Sequence, residues 1–221
     1  MTEDEKTAQA KKDFLSLKSG GAYIPPARLR AMQASIAHDP KSEAFQRLAH
    51  DARKKSINSL VNKVNVGNLK QICEESFNEN LIRGRGLLCQ SLLKAQAASP
   101  TFTPVYAAYV AVINSKLPII GELLVNRLVN RWAKAFRRNE KAVLVSSTIF
   151  LSQLANQDVV NYILIASMLQ LLLEKPTDDS VEVAVSILTQ FGAHLEECNM
   201  VSLIFHILWR MSNADHELHS P

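Results

Sequence analysis

From Ser42 onward, apolar residues return every three or four positions along the chain, the period of a helix with one buried face. Phe45, Leu48, Ala49 and Ala52, then Ile57, Leu60, Val61 and Val64, predict a first helix that breaks at Val66-Gly67-Asn68. Gly67 is expected to turn through the left-handed region there, and Asn68 to cap the next helix. That second helix carries Leu69, Ile72, Cys73 and Phe77. A third runs from about Leu81 to Ala97 and stops before Pro100. A fourth spans Pro104 to Ser115, and Pro118 opens a long helix ending near Arg138. Later helices are predicted over Lys141–Ala155, Val159–Glu174 and Asp178–His194, with a last apolar segment from Met200 to Met211. No stretch alternates with period two for long enough to be a strand.

The linkers are short: Ser99-Pro100, Lys116-Leu117-Pro118, Asn156-Gln157 and Lys175-Pro176-Thr177. Short connections force successive helices antiparallel. Breaks near Asn58, Pro100, Asn139 and Pro176 fall about 40 residues apart with two helices between each, the period of HEAT-type repeats. One such hairpin cannot bury its own apolar face, but a stack can. The fold expected is all-α, a HEAT-like helical-repeat solenoid over residues 41–197. Residues 1–40 read as a flexible or extended leader, with a short helix from Ala27 to Ala37. Its Tyr23-Ile24-Pro25-Pro26 run serves equally as a linker or as an extended clip with something apolar to dock. Residues 198–221 read as an incomplete last repeat or divergent tail.

Composition sharpens this picture. The chain has 221 residues, 47% of them apolar but only 6% aromatic, so Leu, Ala, Val and Ile must build the core, as helix-on-helix packing requires. Cys73, Cys89 and Cys198 stand far apart with no CxxC pair and read as buried free thiols. The charged, polar start (Met1–Lys12) excludes a secretory leader. The longest apolar run, Tyr162–Leu173, is about a dozen residues against the 18 or more of a membrane span, so no membrane association is expected. The net charge of +4 is concentrated at the front. Up to Asn65 there are 12 Lys and Arg against 7 Asp and Glu, and beyond it 13 against 14. A nearly neutral body suits a protein partner better than a phosphate-tracking groove.

Signs of catalysis are nearly absent. None of the six histidines sits at ligand spacing with Cys or carboxylates, and His216 and His219 beside Glu217 read as a solvated tail. No serine stands in a nucleophile elbow and no helix carries HExxH. Gly84-Arg85-Gly86 follows a helical segment and lacks a third glycine, so it is no dinucleotide loop. Thr177 is expected to cap a helix whose dipole Asp178, Asp179 and Glu182 complement, and this explains the adjacent carboxylates better than acid/base chemistry. No enzyme activity, cofactor, metal or small-molecule substrate is called for.

Two surfaces remain. Arg127, Arg131, Lys134 and Arg138 recur at spacings of four, three and four and so line one helix face. Val125, Leu128, Val129, Trp132 and Phe136 are expected almost opposite, in the core. A solvated face is the plainer reading, and a dock for RNA or an acidic partner is the alternative. The same choice applies to Arg83 and Arg85. Asn58, Asn62 and Asn65 share a face beside Lys63, although Asn competes with helix backbone hydrogen bonds. They are either a helix end rich in capping residues or a set of donors and acceptors offered to a partner.

Several stretches carry a resemblance. Gly20-Gly-Ala-Tyr-Ile-Pro-Pro-Ala-Arg-Leu-Arg30, Lys54-Lys-Ser-Ile-Asn-Ser-Leu-Val-Asn-Lys-Val-Asn65, Arg83-Gly-Arg-Gly-Leu-Leu88, Phe102–Pro118 and Pro176-Thr-Asp-Asp-Ser-Val-Glu-Val-Ala184 occur in one order. Over about residues 20–197 the chain resembles the middle domain of initiation factor 4G in its splicing version. The resemblance implies a HEAT solenoid that binds DEAD-box RNA helicases of the initiation factor 4A type. In the splicing version the partner is the helicase of the exon junction complex, held inactive with its lobes apart and delivered to the spliceosome. It further implies spliceosome proteins as neighbours, RNA reached through the complex, and location in the nucleus, in its speckles. The helicase-gripping contacts include an Asn-Lys pair, here Asn62 and Lys63, flanked by Ser59 and Asn65. Ser59 departs from the glycine usual in the family and is expected to crowd that contact. From Cys198 the sequence follows the family pattern poorly, and the family's second domain and basic tails are not seen.

Overall fold

The computed structural model describes residues 43–174 and 176–197. The readings on the leader, on Ala27–Ala37, on Cys198 and on Met200–Met211 lie outside the described residues. The described residues form eight helices: α1 (Glu43–Lys63), α2 (Leu69–Asn78), α3 (Leu81–Ala98), α4 (Thr103–Lys116), α5 (Pro118–Arg138), α6 (Lys141–Asn156), α7 (Tyr162–Glu174) and α8 (Asp178–Glu197). A 3₁₀ turn, Pro100–Phe102, joins α3 to α4. There is no strand among the described residues. Among the described residues, those up to Ile57 fall in one unit and those from Asn58 in a second, to which α2–α8 belong.

Within the second unit, α4 pairs with α5, α5 with α6 and α7 with α8, the antiparallel neighbours that short linkers demand. Helices one step further along the chain also stack, α2 on α4, α4 on α6 and α6 on α8 in one row, and α3 on α5 in the other. That ladder is an all-α helical solenoid, each hairpin closing the apolar face of the one before. Leu88, Leu92, Tyr109, Ile113, Leu124, Leu128, Phe150 and Leu151 are essentially solvent-free at its centre.

Polar residues tie the layers at definite points. Gln96 is buried; its amide nitrogen donates to the Ser146 carbonyl at 3.1 Å and to Thr103 Oγ1 at 3.3 Å, and its oxygen accepts from Ser146 Oγ at 3.0 Å. One side chain thus fastens α3, α4 and α6. Trp132 Nε1 donates to Thr148 Oγ1 at 2.9 Å, and the Tyr109 hydroxyl lies 2.7 Å from Ser76 Oγ. At Gly121 a Cβ would fall 2.1 Å from Asn114 Oδ1, so a side chain there would have to displace the Asn114 amide of α4.

Helix ends largely follow their chemistry. Pro104 and Pro118 lie in the first turns of α4 and α5, and Asn80 Oδ1 accepts from the Arg83 N–H at the start of α3. Thr177 and Ser180 bond reciprocally at the start of α8, Ser180 N–H to Thr177 Oγ1 at 3.2 Å and Thr177 N–H to Ser180 Oγ at 2.8 Å. The acidic turn there has a further use: Lys141 Nζ lies 2.8 Å from Asp179 and 2.6 Å from Glu182, pinning α6 to α8.

Two expectations fail locally. Helix α7 starts at Tyr162 rather than Val159, because Asp158 takes a left-handed conformation (φ 55°) and the Val159 N–H returns to the Leu154 carbonyl, closing α6. Asn161 then caps α7 through the Ile163 N–H. Gly67 does not use the left-handed region, and Asn68 offers α2 no side-chain cap. Asn68 reaches backward instead, its Nδ2 donating to the Lys63 carbonyl at 2.7 Å to finish α1.

Candidate partner-binding site

The last turns of α1 bury Ile57, Leu60 and Val61, with Val64 buried just beyond the helix end, so the other side of the helix faces water. That side carries Ser59, Asn62 and Lys63, all exposed, with Asn65 exposed just beyond the helix end. Asn58 is half-buried. The asparagines divide between the two readings their spacing left open. Asn65 is structural in part: its Oδ1 accepts from the Asn68 N–H at 3.0 Å, while its own N–H donates to Asn68 Oδ1 at 2.8 Å. Asn62 has no such task, and neither its amide nor the Lys63 ammonium meets a partner among the described residues.

The reciprocal Asn65–Asn68 turn presents Val66 at 81% exposure, an apolar contact point that sequence periodicity passes over because Val66 lies outside any helix. The chain then enters α2, whose Leu69, Cys73 and Phe77 line an open cleft of about 350 Å³ together with Val112 of α4. Lys116 Nζ sits 4.5 Å over the Phe77 ring at its end. Nothing in the helical pattern of either element announces this cleft, which exists only because α2 stacks on α4.

Neither described cysteine is a ready nucleophile. Burial, helped by Glu74, raises the Cys73 thiol pKa, and burial pushes Cys89 to about 11 against the partial pull of Arg127. Among the described residues no group of three or more His, Cys, Asp or Glu could hold a metal ion, and no helix is long and apolar enough to cross a membrane.

The basic residues of α5 are brought together, but not where the helical wheel expects. The buried face of α5 is Ile120, Gly121, Leu124, Leu128, Trp132 and Ala135, while Val125, Val129 and Phe136 are only half-buried. Because α3, α4 and α6 all pack on α5, its core face is rotated toward the basic ridge, which flanks the core instead of opposing it. Arg127 and Arg131 are half-buried in consequence, and Arg127 Nη1 donates to the Gly86 carbonyl at 2.8 Å. Arg127, Arg131, Lys134 and Arg138, with Asn130 and Glu140, line one cleft of about 520 Å³. Arg83 and Arg85 are exposed and do not line it; Arg85 Nη1 turns back to the Ile82 carbonyl at 3.0 Å.

Residues 54–211 match the MIF4G domain family. The chain belongs to the MIF4G family. This MIF4G chain is 58% identical over 200 residues to the pre-mRNA-splicing factor cwc22 of Aspergillus fumigatus, a match covering 89% of the chain and 23% of that protein. It is 61% identical over 186 residues to the CWC22 splicing factor of Pyricularia oryzae, covering 84% of the chain and 20% of that protein. With the human CWC22 homolog it shares 49% over 220 residues, 97% of the chain and 24% of the relative. The MIF4G chain thus spans about a fifth to a quarter of the length of these curated relatives. The all-α solenoid read from the helical periodicity is therefore also the architecture expected of the family.

Proposed function

We propose that this MIF4G chain is a non-catalytic scaffold in pre-mRNA splicing in the nucleus. It binds the DEAD-box helicase of the exon junction complex, holds it inactive and delivers it to the spliceosome. The observation that carries the reading is the exposed Asn62–Lys63 pair, which has no partner among the described residues and lies on a helix whose opposite face is core. Asn62 stands in the exposed last turn of α1, and no hydrogen bond among the described residues uses its amide. The family resemblance gives the same two positions to helicase gripping. Relatives that carry the name pre-mRNA-splicing factor support a splicing context over a translational one.

The interaction works by positioning. Buried Leu60, Val61 and Val64 hold the end of α1 rigid, and the Asn68 bond to the Lys63 carbonyl fixes the last turn. Asn62 then offers a donor and an acceptor, Lys63 a cation, and Asn65 its remaining amide hydrogens. Val66 supplies apolar area next to them. Little backbone entropy remains to be lost on binding, while the free side chains of Asn62 and Lys63 still give up rotamer freedom. Ser59 on the same side adds a hydroxymethyl group where the family usually has glycine, so Ser59→Gly is expected to bind the helicase at least as tightly.

A pull-down from nuclear extract tests this reading. Asn62→Asp with Lys63→Glu inverts the charge of the patch without touching the core, so capture of the helicase should be lost while helical content stays unchanged. Undiminished capture would remove these residues from the interface, and recovery of a translational helicase in its place would move the protein to the other branch of the family.

A further inference from the structure

We infer that the cleft along α5 is a second docking surface, separate from the Asn62–Lys63 patch, and that it takes an acidic polypeptide segment. Four cations project into it over about 16 Å of helix, taking 1.5 Å per residue from Arg127 to Arg138. Their states differ. Arg127 is held by the Gly86 carbonyl at 2.8 Å, which fixes one edge of the cleft, and Arg138 Nη1 lies 3.6 Å from Glu140. Arg131 and Lys134, between them, have no partner among the described residues. A pre-set guanidinium and two uncommitted cations make a groove with more cations than counter-ions, which draws an anionic partner.

The lining selects between the two kinds of polyanion. Sequence-tolerant binding of single-stranded RNA combines a basic track with exposed aromatic platforms for the bases. This cleft has no aromatic lining: Trp132 is buried with its N–H committed to Thr148, and Phe136 is stacked on Trp132 at 5.4 Å. The remaining walls are Asn130 and the small apolar side chains of Ala135 and Val143. A carboxylate already sits here, that of Glu140 beside Arg138, so the geometry accepts carboxylates from neighbouring backbone. Acidic residues three or four apart on a partner helix would meet Arg131 and Lys134 in turn.

The test uses the full chain and two fluorescent probes. One is an alanine-rich peptide with glutamates at i, i+4, i+7 and i+11; the other is a 12-nucleotide oligouridylate. The peptide is expected to bind at low salt and to weaken as salt rises. Arg131→Glu with Lys134→Glu should weaken it by about tenfold or more, while Lys54→Glu with Lys94→Glu, an equal change in net charge elsewhere, should alter it by less than about twofold. Absence of peptide binding, or equal losses in the two double variants, overturns the proposal. So does a variant that loses oligouridylate in preference to peptide, which would make the cleft an RNA surface. Helicase capture is read in parallel, so failure here is distinct from failure at Asn62 and Lys63.

Discussion

Cys89 shows how burial of a single thiol can set a pH limit on stability. Its thiol is solvent-free, 3.8 Å from the Ile120 carbonyl, and burial pushes its pKa to about 11, from 9.0. On raising the pH, the unfolded chain ionises first. The stabilisation is fully present below about pH 9 and is lost as pH climbs to about 11, on the order of 2 kcal/mol. Tyr109, buried and raised to about 12, extends the decline from pH 10 upward. Denaturant titrations should therefore give a flat stability between pH 7 and 8.5 and a fall above 9. Cys89→Ala should reduce that fall between 9 and 11, with the raised Cys73 thiol keeping a share of it. A second residue-scale prediction concerns Gly121. Gly121→Ala should cost about 1–3 kcal/mol, because its Cβ would meet Asn114 Oδ1 at 2.1 Å, and adding Asn114→Ala should restore most of the loss, since the nearest remaining atom is then the Asn114 Cβ at 3.3 Å.

At the scale of elements, the joints carry more information than the helices. Gln96 fastens α3, α4 and α6, so Gln96→Leu should leave Thr103 and Ser146 short of partners and lower stability by about 1–3 kcal/mol, read as a shift in denaturation midpoint. Asn139 closes α5 in the left-handed region at φ 56°. Asn139→Gly should be neutral or slightly stabilising, whereas Asn139→Val should cost about 1–2 kcal/mol. The same joints mark the boundary of what a sequence discloses. Helix starts at Pro118 and Thr177 and the end at Arg138 are legible because proline and capping residues act within a few positions. The delayed start of α7 is not, since Val159 is as apolar as a helix residue should be and only the left-handed Asp158 takes it out. Asn68 resembles a cap for α2 because caps usually face forward; its bond to the Lys63 carbonyl depends on how the chain turns. The wheel of α5 groups the right basic residues yet misjudges their distance from the core, because three neighbouring helices decide which side is covered. The cleft of α2 and α4 belongs to neither sequence segment alone.

At the scale of the whole molecule, the described residues from Asn58 onward form a helical stack that carries a small polar patch where it begins. The patch on α1 is legible as unusual from Asn58, Asn62 and Asn65 beside Lys63, but only the folded geometry separates Asn65, which serves its own turn, from Asn62, which serves nothing local. If the chain holds a helicase apart as proposed, it must act on the helicase's turnover and not merely adhere to it. The most direct measurement is the RNA-stimulated ATPase rate of the exon junction helicase, titrated with this chain. The wild-type chain should suppress the rate in proportion to occupancy, and the Asn62→Asp, Lys63→Glu variant should leave it at the level of helicase alone. A rate untouched by the wild-type chain, or suppressed equally by both, would contradict the account.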